Sequence, residues 1–152
     1  MKLSIRWASL LFLLSVVHTA TGQSVEADKE KSVKPNINDR FVDDELKIED
    51  WLKRFEVESR EVFAARDEII RACRIKSGFR IADVGAGTGL FTRLMSKAVG
   101  DSGWIYAIDI SPKFLQHINS NCTEKNIKNV TCILCSDRSI GLPASSVDVV
   151  FV

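Results

Sequence analysis

The short apolar run Ile81-Ala82-Asp83-Val84 contains a carboxylate and leads straight into Gly85, Gly87 and Gly89 at alternate positions. Glycine has no side chain to hold a ligand off, so a strand-to-helix turn of this composition presents bare backbone at close range. Twenty residues beyond Gly89, a second carboxylate, Asp109, closes another apolar run. A carboxylate at that place can accept hydrogen bonds from both hydroxyls of a ribose. The chemistry these residues suit is the holding of a nucleoside. The dinucleotide fingerprint G-x-G-x-x-G needs its third glycine for close helix–strand packing. Here Leu90 occupies that place and Gly89 comes one residue early, which argues against a nicotinamide-dependent dehydrogenase.

Other reactive side chains are few. Cys132 and Cys135 are spaced as a redox or zinc half-motif, but the spacing falls inside a predicted strand. Residues three apart on a strand point to opposite faces and lie about 10 Å apart, so the two cannot bridge there. With no second CxxC and no histidine cluster, no metal site is expected. His117, the one histidine beyond the first 22 residues, sits beside the apolar stripe of a predicted helix and reads as a packing or surface residue. No residue is identified as a general base. Asn121-Cys122-Thr123 and Asn129-Val130-Thr131 fit the N-glycosylation acceptor pattern.

The elements that must carry these groups alternate. Phe79 to Val84 reads as a first strand, and Thr88 is a predicted cap for a helix with Leu90, Phe91, Leu94, Met95, Ala98 and Val99 on one face. Trp104 to Ile110 is a second strand. Ser111-Pro112 then opens a helix buried through Phe114, Leu115 and Ile118. Val130 to Cys135 makes a third strand and Val147 to Val152 a fourth. Single helices between strands imply right-handed crossovers and a parallel sheet. The expected class is α/β: a Rossmann-like parallel sheet with flanking helices, left unfinished after the fourth strand and preceded by N-terminal helices.

Ahead of the sheet, apolar residues recur at helical spacing from Leu46 to Cys73 without glycine or proline. They predict one long amphipathic helix or two consecutive ones packed on the domain. Residues 23–43 are polar and mixed in charge and read as a flexible linker that buries nothing. At the start, Lys2 and Arg6 precede an apolar stretch from Trp7 to Val17, then Ala20 and Gly22. The stretch is shorter than the roughly 20 residues a bilayer span requires. Its order of charge, apolar core and small residues is that of a secretory signal peptide over residues 1–22. The expected organisation is thus signal peptide, linker, and one domain over residues 44–152. Without Lys2 and Arg6 the 21 basic and 20 acidic residues become 19 and 20, net −1, with no block of like charge to suggest nucleic acid or an anionic membrane.

On the residues quoted, the stretch Phe79 to Ile118, and less closely 130–152, resembles the N-terminal half of a class I S-adenosylmethionine-dependent methyltransferase. The motifs that carry the likeness are Asp83-Val-Gly85-Ala-Gly87-Thr-Gly89, Tyr106-Ala-Ile-Asp109-Ile-Ser-Pro112, and Leu142-Pro143 to Ser146-Val-Asp148. The resemblance implies S-adenosyl-L-methionine as cofactor. It places Gly85, Gly87 and Gly89 under the methionyl and ribose parts and Asp83 at the amino end of the methionine. Asp109 would meet the ribose hydroxyls, Ile110 an adenine face and Asp137 the adenine amino group. The stretch from Asp137 to Leu142-Pro143 is one residue longer than the commonest family spacing. The implied activity is methyl transfer to an unidentified acceptor, a small-molecule or lipid one first, with a quinone precursor or a protein also open, and with Trp51, Phe55 and Arg60 as candidates for the acceptor side. The alternative is a secreted or lumenal protein that keeps the fold as a binding module without transfer chemistry.

Overall fold

The computed structural model describes residues 36–152. The predicted signal peptide and the first part of the predicted linker lie outside the described residues. Four parallel strands form one sheet: β1 (Arg80–Val84), β2 (Trp104–Asp109), β3 (Val130–Leu134) and β4 (Val149–Phe151), in the spatial order β3-β2-β1-β4. The chain builds outward from β1 through β2 to β3, then returns to lay β4 on the other side of β1. Ile81 pairs with Ile105 on one side and with Val149 on the other. Asp148 fastens this return. Its Oδ2 accepts the Arg80 amide at 2.7 Å, and its own amide donates to the Arg80 carbonyl at 2.7 Å. The reversal of strand order falls at the C-terminal ends of β1 and β4, where open α/β sheets bind their ligands.

Helix α5 (Leu90–Val99) connects β1 to β2, and α6 (Pro112–Glu124) connects β2 to β3. Met95 and Val99 of α5 close on Ile81 and Ile105, while Leu115, Ile118 and Cys122 of α6 close on Ala107. Ile105 and Ala107 lie two apart on β2 and so share one face. Both helices therefore cover the same side of the sheet. Burial of these side chains supplies the main stabilisation, about 1.5–3 kcal/mol for each large one. The α5 core face is more polar than its apolar stripe suggests, because Thr92 and Ser96 are buried beside Met95 and Val99. Thr92 bonds Asp83 there, and Ser96 meets Asn129, whose side chain reaches Ser96 Oγ, the Ser96 carbonyl and the Gly100 carbonyl at 2.6, 3.2 and 3.0 Å. Asn129 is 9% exposed. Its amide is thus committed to tying α5 to the start of β3, which removes it as a glycosylation acceptor in the folded chain.

Three local expectations are corrected. Thr88 does not cap α5: Gly89 is the capping residue, in left-handed geometry at φ 76°, without a side-chain cap bond, and Thr88 is buried. Ser111, by contrast, accepts the Phe114 amide and is followed by Pro112 in the first turn of α6, as its sequence requires. The helical lead-in is neither one helix nor two but three short ones, α2 (Ile48–Phe55), α3 (Glu61–Ala64) and α4 (Arg66–Ala72). Tertiary contacts make the break. Glu56 leaves helical geometry to pair with Arg93 at 2.8 Å, and Arg66 bonds Glu58 Oε1 and the Phe63 carbonyl. Finally, the described end of the predicted linker is structured. Helix α1 (Asp39–Val42) carries Phe41 onto Trp51 and Phe114, with ring centroids 5.0 and 6.3 Å apart. An aromatic ring gains enough from such packing to order a few polar neighbours.

Candidate functional site

The loops that leave the C-terminal ends of β1, β2 and β3 converge on a cavity of about 930 Å³. One wall is the turn Gly85–Thr88, a second is Asp109 and Ile110 after β2, and a third is Cys135 to Ile140 after β3. Opposite them stand Phe41, Phe55, Arg60 and Val62 from the N-terminal helices, so the lead-in forms a cap over the sheet's ligand-binding edge. The volume lies near the upper end of the roughly 300–1,000 Å³ typical of small-molecule sites.

The structure places the two acidic residues of the motifs differently. Asp109 lines the cavity and braces its floor: Oδ2 accepts the Gly87 amide and Oδ1 the Ser111 amide, both at 2.8 Å. Each carboxylate oxygen has a second lone pair, so both retain capacity for a ligand hydroxyl. Burial raises the Asp109 carboxyl above its ordinary value, and the amides of Gly87 and Ser111 draw it partly back. Asp83 does not line the cavity. It is 3% exposed behind the turn and accepts the Thr92 hydroxyl. Burial pushes its carboxyl up to about 6; the Thr92 bond opposes that rise, and the neighbouring Asp109 charge adds to it.

The three glycines also divide. Gly85 and Gly87 line the cavity at φ 73° and 54°. A Cβ built on Gly85 meets nothing within 4 Å, and one on Gly87 meets only the Gly85 carbonyl at 3.8 Å. Gly89 is away from the cavity wall, and a Cβ there would stand 2.7 Å from Ile118 Cγ1 in the α6 core. Its role is packing of the helix start. Ile110 and Asp137 line the cavity, Asp137 as an exposed residue of the loop after β3. Of the acceptor-side candidates, Phe55 and Arg60 are in the wall, whereas Trp51 stands behind it, its ring 5.0 Å from Phe55 and 5.9 Å from Phe114.

Several site residues escaped the motif reading. Phe41 was hidden in polar surroundings, Phe114 read as core, and Cys135 lies just past β3, where its amide donates to the Asp109 carbonyl at 3.0 Å. The Cys135 thiol is held above its ordinary value by burial and then by Asp109. All four cysteines are free, and no metal-binding cluster of His, Cys, Asp or Glu occurs among the described residues. Arg93 links the cap to the glycine turn: one arm meets Glu56 at 2.8 Å and the other donates to the Thr88 carbonyl at 3.1 Å. His117 faces this pair rather than the cavity, and burial, then the Arg93 charge, lowers its basicity.

Residues 81–152 match the family model of a methyltransferase domain. Among characterised relatives, the chain is similar to aklanonic acid methyltransferase DauC of Streptomyces sp. strain C5. The two are 30% identical over 74 residues, covering 49% of this chain and 34% of that protein. Protein-L-isoaspartate O-methyltransferase of Fervidobacterium nodosum is 37% identical over 68 residues, 45% of this chain and 34% of that one. The matched part thus spans about a third of the length of these relatives. Among solved structures, a SAM-dependent methyltransferase from Aquifex aeolicus superposes with a TM-score of 0.60 at 26% identity, over 69% of this chain and 55% of that one. A SAM-dependent O-methyltransferase from Thermotoga maritima does so at 0.53 and 26%, over 69% and 40%.

Proposed function

We propose, for a chain whose residues 81–152 belong to the methyltransferase domain family, that the cavity binds S-adenosylmethionine and that the protein transfers its methyl group to an acceptor held under the N-terminal cap. The observation that carries this reading is the bond from Gly87 to Asp109 at the cavity floor. It sets side-chain-free backbone next to a carboxylate with spare lone pairs, which suits a ribose lying across a turn. The fit is also steric, since the added Cβ atoms at Gly85 and Gly87 meet almost no protein and the space before them is left to a ligand.

S-adenosylmethionine brings a methyl group on a sulfonium, which needs alignment with a nucleophile more than activation. The protein's part is to hold and exclude. Asp109 takes the ribose hydroxyls while bracing the turn. Ile110 offers an apolar surface to the adenine, and Asp137 is the candidate to accept from the adenine amino group. Asp83, behind the turn, acts on the cationic methionyl end through its charge or an intervening water. Phe41, Phe55 and Val62 shield the reacting side from water. No histidine of the described residues lines the cavity, and no residue is assigned as a general base. The acceptor is a small molecule or a lipid; the charge pattern offers nothing for nucleic acid, and no helix among the described residues is long and apolar enough to cross a membrane.

Residues 1–22 are read as a signal peptide, on their order of positive charge, apolar stretch and small residues. N-terminal sequencing of protein recovered from the secretory pathway would start at Gln23 on this reading and at Met1 otherwise. Calorimetric titration with S-adenosylhomocysteine tests the cofactor. Saturable binding that is lost in Asp109→Ala is expected. A folded protein that gives no heat would return the chain to the alternative of a module that kept the fold and lost the chemistry.

A further inference from the structure

The cap wall of the cavity contains one ionisable side chain, and it is a cation. Asn38, Phe41, Phe55, Arg60 and Val62 make up that wall. The Arg60 guanidinium carbon lies 4.6 Å from the centre of the Phe55 ring, and the group forms no ion pair among the described residues. Two further guanidiniums sit on the same aromatic cluster: Arg40 at 4.7 Å over Phe41 and Arg54 at 5.5 Å over Trp51. Positive charge thus already lies over one face each of Phe41 and Phe55, which disfavours a cationic amine beside them. The carboxylates of the cavity lie elsewhere. Asp109 is bound to the Gly87 and Ser111 amides on the floor, and Asp137 stands on the loop after β3 beside Arg138.

We infer that the cap side of the cavity receives an aromatic acceptor bearing a negative charge, such as a carboxylate, which packs against Phe41 and Phe55 and pairs with Arg60. The inference rests on the reading of the opposite side as the donor site. Phe114 lines the cavity but is only 2% exposed, so Phe41 and Phe55 supply the aromatic surface of the cap wall. A planar ring suits these tilted faces. A guanidinium that already stacks on a ring keeps its edge free for a bidentate carboxylate contact.

The test uses the full chain and two probes of one shape and opposite charge, 1-naphthoate and 1-naphthylmethylamine, titrated with and without S-adenosylhomocysteine. Naphthoate is expected to bind about tenfold more tightly than the amine, the size of one charge-assisted contact. Arg60→Gln should abolish that preference and Arg60→Lys keep only part of it, with S-adenosylhomocysteine affinity unchanged in both and folding checked by circular dichroism. Equal binding of the probes, tighter binding of the amine, no naphthoate binding, or a preference that survives Arg60→Gln would each overturn the inference. The donor reading fails separately. If S-adenosylhomocysteine does not bind but naphthoate still binds through Arg60, the acid-selective cap stands and the methyl donor does not; if neither binds, both are overturned.

Discussion

The Asp109 carboxylate accepts the Gly87 amide at 2.8 Å, joining the turn after β1 to the end of β2. One residue therefore shapes the floor of the cavity and presents the acceptor atoms for whatever rests on it. Asp109→Ala should weaken S-adenosylhomocysteine binding by about a hundredfold or more, since two hydrogen bonds to a charged group contribute about 3–6 kcal/mol. It should also lower stability by about 2 kcal/mol through the loss of the Gly87 and Ser111 bonds. Calorimetry and urea unfolding separate the two effects. An unchanged affinity would remove Asp109 from the site.

The three glycines should behave as two classes. Gly85→Ala and Gly87→Ala incur only the cost of a left-handed residue, about 1–2 kcal/mol, because their Cβ atoms meet almost nothing. They should lose ligand affinity by more than that cost predicts. Gly89→Ala carries the same backbone cost and also drives a methyl to 2.7 Å from Ile118, which is 1% exposed. Overpacking of this kind adds about 1–3 kcal/mol, so Gly89→Ala should be the least stable of the three. Thermal denaturation ranks them directly.

Asp83 should make stability fall as pH rises from about 4 to 6. Its folded carboxyl titrates near 6 against an ordinary 3.8, chiefly because burial penalises the charge. Across that window the native state holds a proton the unfolded chain has released, so raising the pH favours unfolding. The contribution is fully present below the ordinary value and lost above about 6, and amounts to roughly 3 kcal/mol. Asp83→Asn should flatten this part of the profile in urea titrations between pH 4 and 7. Thr92→Val, which removes the hydroxyl that stabilises the charge, should move the inflection higher. Above pH 6 the buried carboxylate is a counter-charge for a cation, so binding of S-adenosylmethionine near pH 6 should release protons, measurable from the buffer dependence of the calorimetric heat.

Asn129→Ala should be among the more damaging substitutions outside the cavity. It leaves the Ser96 hydroxyl and the Ser96 and Gly100 carbonyls without their side-chain partner in a buried setting. Loss of about 2–4 kcal/mol is expected from polar groups orphaned in this way. The measurement is urea unfolding, and a change under 1 kcal/mol would mean that water replaces the side chain.

The sheet, its parallel sense and its two crossover helices were legible from hydrophobic runs punctuated by Gly85–Gly89, Gly100–Gly103 and Ser111-Pro112, since these local signals agree with the tertiary outcome. The lead-in was not. Its periodicity from Leu46 to Cys73 is helical throughout, yet Glu56 abandons the helix for Arg93, a partner 37 residues away that no local pattern announces. Phe41 was missed for a similar reason: one aromatic among polar residues carries little periodic signal, and its packing against Trp51 and Phe114 exists only once the cap has closed.

Residue order alone determines that backbone is bared after β1 and that a carboxylate ends β2, because both depend on side-chain size and position within a few residues of a turn. Which of those groups face a ligand is a matter of three dimensions. Gly89 and Asp83 belong to the same motif as Gly85, Gly87 and Asp109, yet one packs against Ile118 and the other pairs with Thr92 behind the wall. That division follows from how α5 and α6 settle on the sheet. The pairing of Arg60 with an aromatic wall has the same origin, since contacts between distant segments form only when burial of the apolar core brings them together.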